Sequence, residues 1–228
     1  MPTVVSVNRK ASLGKGPVED LSHNEQAYAR LKESVTTLTY KPGEYLNTAN
    51  LMQELGLGRT PINHALHRLS NEGLVQIIPR KGVMVSPLSI DDALELIDVR
   101  MANESLCARL AAAKITEAEL HQLKSLAREF DDAVNRRNMA QVINSDRLFH
   151  EQIALAARNQ ILTEILKVLH ARSQRFWAIS LSTEGHLKEV KAEHQSIIEA
   201  LAKADADAAN AAVEAHVLSF KRSLLHTR

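Results

Sequence analysis

Apolar residues recur at helical spacing along most of this chain, and one short stretch breaks the rhythm into strands. Tyr28, Leu31, Val35 and Leu38 predict a first helix over about 21–38, packed behind the two helices after it. Pro42-Gly43 marks a turn, Asn47 caps a short helix carrying Leu51, Met52 and Leu55, and Gly56 breaks it. A second helix is expected from Thr60-Pro61, with the threonine hydroxyl as cap and proline in the first turn, where its missing N–H costs nothing. Ile62, Leu66 and Leu69 form one stripe on it, and Gly73 ends it. Two β-prone runs come next, Leu74 to Ile78 and Val83 to Val85, joined by Pro79-Arg80-Lys81-Gly82. That is a hairpin with a cationic tip.

Beyond Pro87 to Ser89 the pattern is helical throughout. Six helices are predicted, over about 90–113, 116–137, 139–158, 160–181, 183–203 and 205–226. Leu94, Ile97 and Met101 line one face of the first; Leu162, Ile165 and Leu169 do the same on the fourth. Ser89 with Asp92 reads as a helix start, and Thr116 with Glu119 as a capping box. Asn159 is a stop, while Thr183 and Asp205 are caps. Short loops imply antiparallel neighbours. The fold expected is mostly α: an N-terminal winged helix-turn-helix, then an antiparallel all-helical bundle of about six helices. The divisions fall at 1–18 for a flexible arm, 19–87 for the first domain and 89–228 for the second, with a link too short to uncouple the two.

Composition sharpens this picture in two places. The chain has 228 residues and a net charge of only +1, which argues against indiscriminate polyanion binding. The charge is uneven, +3 over residues 1–88 and −2 over 89–228. Its one cysteine, Cys107, excludes an intrachain disulfide and fits a reducing, cytoplasmic setting. No apolar run approaches the ~18 residues of a membrane span, so no membrane partner is expected. The arm, with Ser, Gly, Pro and scattered cations, reads as a tail.

Two sets of residues carry candidate chemistry. Arg59, Thr60, Asn63, His64 and His67 lie mostly off the apolar stripe of the second helix, and Arg80-Lys81 sit at the hairpin tip. A helix that fronts a major groove with polar side chains, beside a wing that places cations on phosphate, predicts binding to double-stranded DNA. The second set begins with Asp146 and His150, four apart on one helical face, and adds His194 and His216 from the middle of two later helices. A carboxylate with three imidazoles suits Zn, Ni, Mn or Fe as a divalent ion. The plainer reading is that mid-helix histidines are surface or hydrogen-bonded core residues, in a chain that holds ten. Arg100 offers a planar fork for a carboxylate ligand, or an ordinary salt bridge. His23, His121, His170, His186 and His226 receive no role.

The segments Pro42-Gly43-Glu44, Leu55-Gly56-Leu57-Gly58-Arg59-Thr60-Pro61-Ile62, Ala65-Leu66, Arg68-Leu69, Glu72-Gly73-Leu74-Val75 and Pro79-Arg80-Lys81-Gly82 resemble the GntR family of bacterial transcription regulators. The second half resembles the FCD effector domain of its FadR subgroup, in the shorter VanR-like variant. Val99-Arg100 and Glu104 match the first effector helix, Asp146-Arg147-Leu148-Phe149-His150 the metal helix, Asn159 the turn after it, and His194 and His216 two later histidines. The resemblance implies a homodimer on a palindromic operator, with Asp146, His150, His194 and His216 as metal ligands. It makes Arg100 a contact for the carboxylate of a small organic or sugar acid effector. One departure stands out: Asn63-His64 occupies the place of the family's usual Arg-Glu. Arginine suits guanine and asparagine adenine, so the family's operator consensus does not transfer.

The function expected is a metabolite-responsive regulator, acting as a repressor and not as an enzyme. A metal-dependent enzyme is the rival, because an Asp/His₃ site with open positions activates water. It lacks a nominated catalytic acid or base beyond Glu104. A DNA-binding protein with a purely structural ion is the third reading.

Overall fold

The computed structural model describes residues 21–180 and 186–226. The expected arm over 1–18 and the expected cap Thr183 lie outside them. Among the described residues the chain forms nine helices and one three-stranded sheet. Helix α1 (His23–Thr36), strand β1 (Tyr45–Leu46), helices α2 (Thr48–Leu55) and α3 (Arg59–Asn71), and strands β2 (Val75–Ile78) and β3 (Gly82–Val85) make the first unit. Asn47 accepts backbone N–H bonds from Ala49 and Asn50 at 2.8 and 3.2 Å, and so fixes the start of α2. Gly56 ends it in the left-handed conformation, φ 66°.

Helix α3 starts earlier than the Thr60 hydroxyl would require. Gly58 takes the N-cap position with extended backbone and no side-chain bond, so Arg59 opens the helix and Thr60 lies inside its first turn. Thr60 is therefore not a cap, and its exposed hydroxyl is free of that duty. Strand β1 went unforeseen. Its two residues pair with the far end of the hairpin, Tyr45 with Met84 and Leu46 with Val83, giving the order β1-β3-β2. A two-residue strand has no local period to betray it. Leu31 and Val35 of α1, Ile62, Leu66 and Leu69 of α3, and Leu74 and Val85 form the core of this unit.

The bundle continues as α4 (Ile90–Ala112), α5 (Glu117–Asn135), α6 (Met139–Ala156), α7 (Gln160–Ser180), α8 (His186–Ala202) and α9 (Ala206–His226). Ser89 caps α4 through Asp92 N–H at 3.0 Å, Thr116 and Glu119 close a reciprocal capping box, and Asp205 accepts from Asp207 and Ala208. Asn159 accepts from Leu162 N–H and so starts α7, whereas α6 has already ended at Ala156, before the left-handed Arg158 at φ 51°. Helix α4 packs on α9 and α7, α5 on α6 and α8, and α8 on α9. Ile97, Leu123, Phe130, Phe149, Leu166 and Ile197 are fully buried among them. Each such side chain contributes about 1.5–3 kcal/mol relative to exposure. Among the described residues no helix is long and apolar enough to cross a membrane.

The two cores touch through α7. Ala171 belongs to the core of the first unit although it lies deep in the bundle's sequence. Beside it, Arg172 Nε donates to the backbone carbonyl of Glu72 at 2.6 Å, at the C-terminus of α3. Arg175 donates to the carbonyl of Ser86, where the link between the units begins.

Candidate functional site

Arg59, Thr60, Asn63, His64 and His67 are all exposed on α3, and Arg80 and Lys81 are exposed at the hairpin tip. The opposite side of α3 is buried through Ile62, Ala65, Leu66 and Leu69. Segregation of this kind leaves a polar helix face and a cationic wing on one small scaffold. Its orientation is held from behind: Glu72 accepts bonds from Tyr28 at 2.5 Å and Lys32 at 2.8 Å, and the Arg68 guanidinium lies 3.6 Å over the Tyr28 ring.

In the bundle, Asp146 and His150 of α6 face His194 of α8 and His216 of α9. Asp146 Oδ1 stands 3.3 Å from His194 Nε2 and 3.8 Å from His150 Nε2, and the Nε2 atoms of His150 and His216 are 3.2 Å apart. One ligand atom from each of the three histidines falls within 4.8 Å of the others. Phe149 stacks on the His194 ring at 4.0 Å between centroids, and Phe130 meets it edge-on at 5.1 Å, which fixes its plane. Glu193 sits 2.9 Å from Nδ1 of His216. A proton on that nitrogen donates to the carboxylate and turns the Nε2 lone pair toward His150, as carboxylate partners of metal-binding histidines do.

The electrostatics suit a cation. Burial pushes His150 and His194 below their ordinary value, so both imidazoles are neutral at pH 7. Burial alone would raise Asp146, but His150, His194 and His216 outweigh it and hold the carboxyl well below the usual range. Ionised carboxylate and neutral imidazole are the states that bind metal. His194 is 1% exposed, and its Nδ1 makes no hydrogen bond, while Nε2 lies 3.3 Å from the Asp146 carboxylate in poor bonding geometry. A buried orphan of this kind is costly unless something else fills its valence. The donor set therefore fits a divalent ion.

Arg100 lies beside this cluster, and it is already engaged. Its Nε donates to Glu104 Oε1 at 2.6 Å and one terminal nitrogen donates to Ser173 at 2.6 Å, with both members of the ion pair about 95% buried. Burial would raise Glu104, while Arg100 first, then His170 and His150, hold it well below the usual range. Glu104, His150 and His170 also bring ligand atoms together. The Arg100 cation bonded to Glu104 disfavours a second divalent ion there, so that group reads as a charge-balanced network. The second terminal nitrogen of Arg100 has no hydrogen-bond partner among the described residues.

A pocket opens on the cluster, lined by Arg100, His150, His216 and the apolar Trp177, Val190 and Phe220. Its wall also includes His170 and His186, two histidines that spacing alone left without a role. His170 Nε2 is 3.2 Å from Glu104, a tertiary contact with no signature in local spacing. Glu104 itself was legible as an i,i+4 partner of Arg100.

Helix α7 divides its work between two faces. His170, Ser173, Gln174 and Trp177 line the pocket, while Ala171, Arg172 and Arg175 grip the first unit. Burial, then the neighbouring Arg172, pushes the Arg175 guanidinium down to about 10. His170, Gln174 and Arg147 line a second cleft as well, between α1 with Arg68 and helices α6 and α7. The pocket on the cluster and the boundary between the units thus share a wall.

Known proteins match both halves. Residues 23–85 match the family described as bacterial regulatory proteins, gntR family, and residues 95–219 match the FCD domain. The chain is 26% identical over 205 residues to the HTH-type transcriptional repressor RspR of Escherichia coli, covering 90% of each chain. It is 27% identical over 192 residues to the HTH-type transcriptional regulator YdhC of Bacillus subtilis, covering 84% of this chain and 86% of the relative. Its fold is similar to the solved structure of E. coli McbR/YncC, with TM-score 0.83 at 24% identity over 90% of this chain and 98% of that one. These relatives are transcription regulators and not enzymes. The chain belongs to the GntR family of bacterial transcription regulators, as a DNA-binding winged helix-turn-helix joined to an FCD effector domain.

Proposed function

We propose that the chain is a cytoplasmic repressor that binds a palindromic operator as a homodimer and releases it when a small carboxylic acid enters the bundle beside a divalent metal. The observation that carries this reading is the convergence of Asp146 with the His150, His194 and His216 group, charge-matched to a cation, with Asp146, His150 and His216 lining a pocket that also presents Arg100. Asp146, His150, His194 and His216 would hold the ion. It supplies a Lewis-acidic anchor for carboxylate oxygens. Arg100 adds donors on the same side, and Trp177, Val190 and Phe220 bury the carbon skeleton.

Regulation runs through α7. A ligand shifts a conformational equilibrium only if it binds one arrangement better than the other. Contacts to His170, Ser173 or Gln174 bias the position of α7, and Arg172 and Arg175 carry that bias to the end of α3 and to the link at Ser86. In a dimer the result is a change in the spacing of two recognition helices, which must meet half-sites about one turn of DNA apart. Exposed apolar residues on the packed pair α4 and α9, Val99, Leu106, Leu218 and Leu225, support a second copy as their cover. The name of RspR, a repressor, supports the sign of regulation.

The test is metal analysis of the purified, metal-reconstituted chain and of His150→Ala, His194→Ala and His216→Ala, with circular dichroism alongside. Loss of the ion with helical content kept is expected in each variant. Full occupancy in all three would overturn the site. A thermal-shift screen of organic and sugar acids on the loaded protein then finds the effector class, since ligands that bind only the native state raise its melting temperature.

A further inference from the structure

His186 opens α8 and is 4% exposed, yet neither of its ring nitrogens has a hydrogen-bond partner among the described residues. The carboxylate beside it, Glu189 Oε2, is 3.9 Å from Nδ1, beyond bonding reach. Buried polar groups are almost always bonded, so one left with two empty valences marks a place where something else completes it. His186 lines the pocket that holds Arg100 and the three-histidine cluster, and it is not a member of that cluster. Val190, one turn along the same helix, and Trp177 and Phe220 line the pocket as apolar wall. A ligand there meets the Arg100 cation, the Asp146, His150 and His216 donors, an apolar wall and the unpartnered His186 imidazole in one pocket.

We infer that His186 is a specificity-determining ligand contact, which reads a second hydrogen-bonding group on the acid besides its metal-bound carboxylate. This rests on the acid-effector reading above and narrows it to acids that also carry a hydroxyl or a second carboxylate. A site built to bond such a group rejects the analogue that lacks it, because the imidazole is then left unpaired inside a filled pocket. The same imidazole is a liability when the pocket is empty, so an apolar residue of similar size at this position stabilises the free protein.

Three four-carbon acids test this by calorimetry on the nickel-loaded full chain: butanoate, 4-hydroxybutanoate and succinate. They differ only at the remote end. Wild type should bind 4-hydroxybutanoate or succinate at least about tenfold tighter than butanoate. In His186→Leu that advantage should fall below about twofold, with butanoate affinity kept and the melting temperature of the free protein raised. His186→Gln, which restores a donor and an acceptor, should recover part of the preference. Equal binding of all three acids by wild type, or a preference that survives in His186→Leu, overturns the role of His186 and leaves the acid site standing. Binding of none of them by protein that holds nickel overturns the acid-effector reading, and this inference with it.

Discussion

Replacing Gly73 with alanine should weaken the joint between the DNA-binding unit and the bundle, by an amount that a second glycine isolates. Gly73 follows α3 with φ +73°, and a Cβ there would meet the Arg172 guanidinium, with Cζ at 2.8 Å. Arg172 is exposed and flexible, so it gives way before the backbone does, and its 2.6 Å bond to the Glu72 carbonyl is broken. Gly56 has φ +66° and nothing within 4 Å of its added Cβ, so its alanine variant carries the conformational cost alone. A left-handed alanine costs about 1–2 kcal/mol. A solvent-accessible hydrogen bond adds about 1 kcal/mol. Gly56→Ala should therefore lose about 1–2 kcal/mol, and Gly73→Ala about 2–3 kcal/mol, in urea unfolding of the metal-free protein. The ratio of operator affinities with and without an acid effector is the functional half of the assay. It should shrink in Gly73→Ala and persist in Gly56→Ala. Equal stability losses, or an undiminished response in Gly73→Ala, would refute the reasoning that Arg172 transmits force between the units.

Other outcomes rest on single side chains. Arg80→Ala with Lys81→Ala should weaken binding to operator and scrambled duplexes alike, lowering the salt slope by about one for each phosphate no longer neutralised. Arg59→Ala should cost about 1–3 kcal/mol on the operator only, as titration of both duplexes at several salt concentrations would show. Glu104→Leu leaves Arg100 buried without its counter-charge and should cost about 3–5 kcal/mol by urea denaturation, most of it regained when Arg100→Met is added. Glu119 is held at about 2, first by its bond from Arg158 and then by the Thr116 backbone. A depressed folded value stabilises above the ordinary 4.5 and loses that contribution as acid approaches 2, so the stability gap between wild type and Glu119→Gln should close over that window.

The parts of the fold that were legible are those fixed by neighbours in sequence. Asn47, Gly56, Ser89, the Thr116–Glu119 box and Asp205 act within one turn of themselves, and each bounds the helix its residue type implies. Thr60 misled because Gly58, two residues earlier, adopts the extended cap conformation without needing a side chain. Strand β1 escaped because its pairing partner lies some forty residues away on β3. The site divides in the same way. Asp146 and His150 share a face by spacing alone, and Arg100 with Glu104 does too. His170 and His186 matter through tertiary placement, and so do Arg172 and Arg175, which a helical wheel of α7 shows only as polar residues in an amphipathic helix.

The most direct test of acid-controlled operator binding is fluorescence anisotropy of the nickel-loaded full chain on an operator selected from a random duplex pool. The titration is run with and without a saturating acid from the thermal-shift screen, in wild type and in His194→Ala. The acid should change wild-type operator affinity by at least about tenfold, or 1.4 kcal/mol of coupling, and leave His194→Ala unmoved. An operator affinity indifferent to every acid that binds the wild-type bundle, or an equal response in His194→Ala, would contradict control through the metal-bearing pocket.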